Sequence, residues 1–418
     1  MTLRLLYPAI GLLVFACANE PAAPEAAPPR ITALPRALTA SEQRLIDADN
    51  RLAIKLVRRL SIETRDTLPN LFISPLSVAM ALAMTYNGAA GTTEAAMRTT
   101  LELDSMSLVE VNEANRSLIA LLRNLDPKVH FQLANSIWYR LGLSFEQPFL
   151  DATRSYFDAR VEGLDFSSPS APKTINDWVS QNTQGLIPEI VPAQIPSDIV
   201  MYLMNAIYFK GDWTQQFDKA RTEPRPFQLA DGSSVDVPTM TYADKGNILR
   251  AWTPTALVVD LPYGGGAFSM TIVLPNQGIT VDDVVGSLTL DQWHNWIAGL
   301  DSSRAEVFLP KFRLENKFTL NDALKALGME VAFQPYVADF RRMRQANDLY
   351  ISRVLHNTYV DVNEEGTEAA AVTAVEVGLV CVCEPPPVRI DRPFLFALRE
   401  NLSGTILFLG VIRHPPVN

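Results

Sequence analysis

Cys381-Val382-Cys383 sets two thiols one residue apart, just before the run Glu384-Pro385-Pro386-Pro387. Two cysteines this close are poorly placed for a relaxed disulfide. A metal site would need more ligands, and no histidine cluster lies near them in sequence. Two readings stay open: exposed thiols with no role, or a pair whose oxidation or capping gates the activity of the surrounding loop. The chain has only three cysteines and four histidines. It contains no Gly-x-Ser-x-Gly, His-Glu-x-x-His or Cys-x-x-Cys, and no phosphate-binding glycine loop. No cofactor and no metal are expected, and nothing points to an enzyme.

The chemistry-bearing stretch is instead the one leading into those cysteines, Glu364 to Val377. Small residues follow one another there without proline or a bulky aromatic. In an extended chain, side chains alternate between faces. One face carries Thr367, Ala369, Ala371, Thr373, Val375 and Val377; the other carries Glu368, Ala370, Val372, Ala374 and Glu376. Both glutamates fall on one side, as in a strand with one buried and one wet face. Yet the stretch runs into what reads as an exposed loop. A loop composed as a strand is a switch.

The elements that must hold this switch come from the rest of the chain. It has 418 residues, 48% hydrophobic and 20% charged, enough for a large core. The net charge of −10 disfavours nucleic acid and anionic lipid as partners, although acidity also simply keeps a protein soluble. Residues 1–17 read as an export signal, with Arg4 followed by the apolar stretch Leu5 to Ala16. Val14-Phe15-Ala16-Cys17 is similar to the lipobox of bacterial lipoproteins, which predicts lipidation at Cys17; the alternative is a soluble secreted protein cut nearby. A Pro/Ala-rich tether follows (18–38), and one domain spans 39–418. Asn19 favours the outer membrane, on its periplasmic or outer face.

Thr39 and Glu42 can form a capping box, opening a helix with Leu45, Leu52, Leu56 and Leu60 on one face. Phe72 to Leu82 is a second apolar stretch, with Ser74-Pro75 suited to a helix start; a segment starting at Gly91, Asp104 to Leu125 and Pro172 to Thr183 also read as helical. His130 to Tyr139 reads as a strand, and Ile199 to Phe209 as one buried on both faces. Tyr263-Gly264-Gly265-Gly266 predicts a hairpin between Leu257–Pro262 and Phe268–Leu274. Val281 to Leu300 predicts one or two short helices. Ala305 to Phe312 and Tyr350 to Val362 read as strands, Leu320 to Leu327 as a helix. Phe394–Leu398 and Thr405–Val411 read as a closing hairpin. Helices first and strands after predict one α+β domain.

Four segments, in order, make the chain resemble the serpin family. They are Asn70-Leu71-Phe72-Ile73-Ser74-Pro75-Leu76-Ser77; Asn205-Ala206-Ile207-Tyr208-Phe209-Lys210-Gly211-Asp212-Trp213; Asp361 to Thr373; and the C-terminal pair Val388–Leu398 and Leu402–Gly410. The resemblance covers about residues 40 to 415. It implies a large central β-sheet, two smaller sheets, about nine helices and an exposed reactive loop, about 364–388. It implies a suicide-substrate inhibitor: a target endopeptidase cleaves the loop, forms an acyl-enzyme, and is trapped covalently as the loop inserts into the central sheet. A monomer is expected. The alternative is a non-inhibitory member that acts as a surface-binding or chaperone-like protein. By position, Glu365, Gly366, Thr367, Glu368, Ala369, Ala370, Ala371 and Thr373 match the loop hinge. Ser74, Ser77, Asn205 and His356 match the polar cluster below the opening point, and Trp213 matches the place where the loop first enters.

The residues suit such an insertion physically. A new strand must donate every ladder hydrogen bond, and proline is absent from Asp361 to Glu384. Fourteen residues after Gly366 would extend roughly 46 Å as a strand. Counted as the family counts, the scissile bond is Val380–Cys381, with Cys381–Val382 and Val382–Cys383 as alternatives. Leu379-Val380 suits an elastase-like or subtilisin-like serine protease, or a papain-like cysteine protease; no Lys or Arg there invites a trypsin-like one.

Overall fold

The computed structural model describes residues 30–367 and 386–416. Helix α1 (Ala40–Thr64) starts from the Thr39/Glu42 capping box and buries Leu45, Leu52, Leu56 and Leu60. The next segment divides at Ser74 into strand β1 (Asn70–Ile73) and helix α2 (Pro75–Tyr86), the helix starting at Ser74-Pro75 as expected. The division is chemical: the Ser74 hydroxyl caps the Ser77 N–H and Pro75 opens the first turn, where its missing N–H costs nothing. Helices α3 (Gly91–Thr100) and α4 (Leu108–Leu122) follow, the latter capped by Ser107 and Glu110. Then come β2 (Val129–Arg140), α5 (Gln147–Phe157), β3 (Ala159–Leu164), α6 (Ser170–Asn182) and β4 (Met201–Asp212).

The middle of the chain supplies β5 (Glu223–Gln228), β6 (Ser234–Met240), β7 (Gly246–Trp252), β8 (Ala256–Tyr263) and β9 (Phe268–Pro275). The predicted hairpin is the β8–β9 pair. Two short helices, α7 (Val281–Ser287) and α8 (Leu290–Ala298), precede β10 (Asp301–Ala305), β11 (Val307–Pro310) and β12 (Phe312–Thr319). The single strand expected over Ala305–Phe312 is therefore wrong. The chain passes there through three sheets in turn, breaking at Glu306 and Lys311. Helix α9 (Asn321–Leu324) continues as a π turn over Lys325–Met329. The last strands are β13 (Leu355–Val362), β14 (Gly366–Thr367), β15 (Val388–Arg389), β16 (Phe394–Glu400) and β17 (Ile406–Ile412).

Among the described residues these form three sheets and nine α-helices, an α+β architecture of the kind the resemblance implies. A seven-stranded sheet runs β1-β17-β16-β9-β8-β7-β10, with the predicted C-terminal hairpin at its centre. A four-stranded sheet runs β15-β11-β6-β5, and a six-stranded sheet runs β12-β13-β14-β4-β2-β3. The core includes a column of stacked rings, Phe72 with Phe396 (5.7 Å) and with Phe408 (5.1 Å). Helix α6 forms its own cluster on the six-stranded sheet, with Ile175 and Trp178 against Trp138, Met204 and Ala206. Strand β4 is not buried on both faces as expected; buried residues alternate with half-buried ones. Its edge below Thr367 carries no partner strand among the described residues.

Candidate functional site

Strand β14 is only two residues long, yet it stands between β13 and β4 in the middle of the six-stranded sheet. It is antiparallel to both: Thr367 pairs with Val362 on one side and Gly211 on the other, and Gly366 pairs with Asp212. The reversal out of β13 is an Asn-initiated turn. The Asn363 side-chain oxygen accepts from the N–H groups of Glu365 (3.1 Å) and Gly366 (3.3 Å), while the Asn363 N–H donates to the Gly366 carbonyl (2.9 Å). Gly366 has φ +155°, and a Cβ there would lie 2.1 Å from the Gly211 carbonyl oxygen. No side chain fits between these strands at that point.

Thr367 points inward, as the face assignment predicts. It is buried, and its hydroxyl lies 2.9 Å from the buried Tyr263 hydroxyl. Burial pushes the Tyr263 phenol well above its ordinary pKa, so it stays protonated and able to donate. The Tyr263 ring stacks on Trp213 at 4.3 Å, and Trp213 meets Phe217 edge-on. Trp213 is tied to the turn twice: its indole N–H donates to the Asn363 carbonyl and its backbone N–H to the Glu365 carbonyl, both at 2.9 Å. The Phe217 N–H donates to the Glu364 carbonyl.

Glu364 closes the top of the seam. Its carboxylate is buried and accepts from Lys311 Nζ (2.9 Å) and the Thr222 hydroxyl (2.8 Å). Burial pushes its pKa up, but the hydrogen bonds from Lys311 and Thr222 outweigh this and hold it below the usual carboxylate range. Glu365 is paired with Lys219. The sequence reading missed Tyr263, Lys311, Thr222 and Phe217. No local pattern marks them, because each is defined by a contact with a distant segment.

Below Thr367 no ladder joins β4 to β13 among the described residues. Small cavities bounded by both strands follow the seam downward. One lies among Ile207, Phe209, Tyr359 and Thr367, the next among Ser77, Asn205, His356 and Thr358. Residues after α6, Ile187 and Ile190, help to line them.

The four residues of the polar cluster are linked through backbone groups. Nε2 of His356 accepts from the backbone N–H of Ser74 (2.9 Å), and the Ser74 hydroxyl donates to the Leu407 carbonyl (2.8 Å). The Ser77 hydroxyl donates to the Asn205 carbonyl (3.3 Å), tying α2 to β4. No His356–Asn205 bond is formed among the described residues. The Asn205 amide donates instead to the Asn135 side chain (2.7 Å), and its oxygen is buried without a partner. Asn205 on β4 and His356 on β13 lie on opposite sides of the seam, where no ladder draws them together. His356 is fully enclosed, and burial lowers its pKa to about 4, so the ring is neutral at ordinary pH.

Glu368, Ala369, Ala370, Ala371, Thr373, the scissile candidates Val380, Cys381 and Cys383, and the lipidation candidate Cys17 all lie outside the described residues. Among the described residues no group of His, Cys, Asp and Glu could hold a metal, and no helix is long and apolar enough to cross a membrane.

The family model described as "Serpin (serine protease inhibitor)" matches residues 47–415. The human leukocyte elastase inhibitor is 35% identical, over 89% of this chain and all of that protein. Serpin B8 of Bos taurus is 35% identical over 89% and 99%. The native-state crystal structure of tengpin, a thermophilic serpin, superposes with a TM-score of 0.81 at 31% identity, covering 92% of this chain and 97% of that one. Human thyroxine-binding globulin complexed with its hormone superposes at 0.80 with 27% identity, covering 90% and 100%. The chain belongs to the serpin family.

Proposed function

We propose that this protein inhibits serine endopeptidases as a suicide substrate, trapping the acyl-enzyme when the cleaved reactive loop inserts between β4 and β13. The observation that carries this reading is the position of Gly366 and Thr367, already hydrogen-bonded as the first two residues of a strand between those neighbours. Inserted further, the loop would gain antiparallel ladders on both sides. Relatives named as elastase inhibitors support protease inhibition as the activity class.

Cleavage is assigned to Val380–Cys381, with Cys381–Val382 and Val382–Cys383 as the neighbouring choices. Leu379-Val380 suits an elastase-like or subtilisin-like target. Glu365 to Thr373 act as the hinge, Trp213 as the surface the loop meets first, and Ser74, Ser77, Asn205 and His356 as the polar cluster that rearranges when the sheet expands. The domain is monomeric, exported, and held at the bacterial outer membrane by lipid on Cys17 through the Pro/Ala tether.

Incubation with subtilisin or pancreatic elastase, followed by denaturing electrophoresis, tests the central reading. A band at the summed mass that survives SDS is expected. Loop cleavage without such a band would instead support a non-inhibitory binding protein. Mass spectrometry of the released peptide identifies the bond, and labelling with palmitate tests Cys17.

A further inference from the structure

Five of the six tryptophans are buried; Trp252 alone is exposed, at 64%. It is the last residue of β7, two past the final rung that pairs β7 with β10, Arg250 with Asp301, and it pairs there with Leu257 of β8. A groove of about 860 Å³ opens there, between this strand end and helix α8, with the buried ring of Trp296 among its walls. That is in the size range of small-ligand sites, roughly 300–1,000 Å³.

Most of the remaining lining residues are polar. Asp291, Gln292 and Asn295 come from successive turns of α8, and Asp301 and Ser303 from β10. None of these five side chains is engaged in a hydrogen bond or ion pair with a described residue. Gln292 and Asn295 each offer an amide donor and an acceptor, and the carboxylates offer acceptors only. A protein-docking patch has an apolar centre and a polar rim. Here a single aromatic face is surrounded by unspent amide and carboxylate groups. That combination matches a pyranose ring. Its C–H face carries slight positive charge and lies on the negative face of an indole, while its hydroxyls both donate and accept at the edge.

We infer that the groove between Trp252 and helix α8 binds a neutral oligosaccharide, with one sugar ring stacked on Trp252 and its hydroxyls held by Gln292, Asn295 and Asp301. Two carboxylates and one arginine line the site, so polyanionic glycans are disfavoured. Sugars whose ring hydroxyls are all equatorial, of gluco configuration, present the flattest C–H face and fit best. Arg250 at the groove's edge also donates to the Pro386 carbonyl (3.2 Å), which sets the groove beside the C-terminal leg of the reactive loop. A polysaccharide held here would fix the inhibitor to a glycan surface with the loop close by. The inference stands apart from the inhibitory reading, because sugar binding and protease trapping are measured separately.

The test titrates the full chain with cellohexaose and chitohexaose, reading intrinsic fluorescence and calorimetric heat. Binding in the micromolar-to-millimolar range is expected, with a fluorescence change that comes from the one exposed indole. Trp252→Ala should weaken binding at least tenfold and abolish the fluorescence change. Gln292→Ala, which keeps the indole, should weaken binding while the fluorescence change persists at saturation. Both variants should retain the circular dichroism spectrum of the parent. No binding of either saccharide at low-millimolar concentration would overturn the inference, and so would unchanged affinity in Trp252→Ala. Preference for polygalacturonate over the neutral sugars would overturn it as well.

Discussion

Replacing Thr367 by arginine puts the proposed insertion step under direct stress. Thr367 is 4% exposed, and its hydroxyl contacts a Tyr263 that is itself fully buried. An arginine there would place a guanidinium between β13 and β4, among Tyr263, Phe209 and Val360, where the carboxylate lining that cavity, Asp361, is already paired with Arg313. Burying an unpaired charge costs several kcal/mol even after relaxation, and the long side chain can recover part of this by reaching for water. A net penalty of about 3 kcal/mol at the first step of insertion slows it roughly 150-fold, at about 1.4 kcal/mol per decade. Acylation involves a bond far along the loop and should be unchanged, as should deacylation in the protease's own site. The acyl-enzyme then hydrolyses before it is trapped. The assay is densitometry of the SDS-resistant band after reaction with subtilisin, beside Thr367→Ser, which keeps the hydroxyl. Arginine should convert the protein almost wholly into a cleaved substrate while serine retains the band. An undiminished band from the arginine variant would refute insertion at this position.

Gly366→Ala forces a methyl group to 2.1 Å from the Gly211 carbonyl, so β14 should leave the sheet. The amide of Thr367 should then lose protection in hydrogen exchange, and the SDS-resistant band should weaken. Lys311→Met leaves the buried Glu364 carboxylate with Thr222 alone. Because Lys311 is 44% exposed, solvent screens the pair, and a loss of about 1–2 kcal/mol in urea unfolding is expected rather than the full cost of a buried break. His356 contributes an acid-side sensitivity. Its pKa falls from 6.5 to about 4 on folding, so between those values the unfolded chain binds a proton that the folded chain refuses. Stability therefore declines as pH drops from about 6.5 to 4, by about 3 kcal/mol in all. Urea midpoints measured across that window should fall less steeply in His356→Gln than in the parent, and parallel slopes would count against this assignment.

Local rules made much of the scaffold legible. The Thr39/Glu42 capping box starts α1 where expected, because a cap involves only residues three apart. The Gly264–Gly266 turn joins β8 to β9 for the same local reason. Alternation along Glu364–Val377 correctly put Thr367 on the buried face. Ser74-Pro75 marked the start of α2, but that Phe72–Ile73 before it form a strand is decided only by pairing with Gly410 and Leu409. Ala305–Phe312 reads as one strand because side-chain types do not reveal that the chain crosses from sheet to sheet.

Sequence alone determined that this chain carries a proline-free, small-residue segment able to become a strand, since composition and period are properties of the segment itself. Where that segment meets the sheet, with Gly366 and Thr367 between β13 and β4, was decided by tertiary structure. Tyr263 reaches Thr367 across 104 residues, Lys311 reaches Glu364 across 53, and Gly211 leaves no room for a side chain at Gly366. Such contacts join strands distant in sequence, and their partners are set by how three sheets pack rather than by any local pattern. The same holds for Asn205 and His356, whose separation follows from the seam between β4 and β13 and cannot be read from either residue's neighbours.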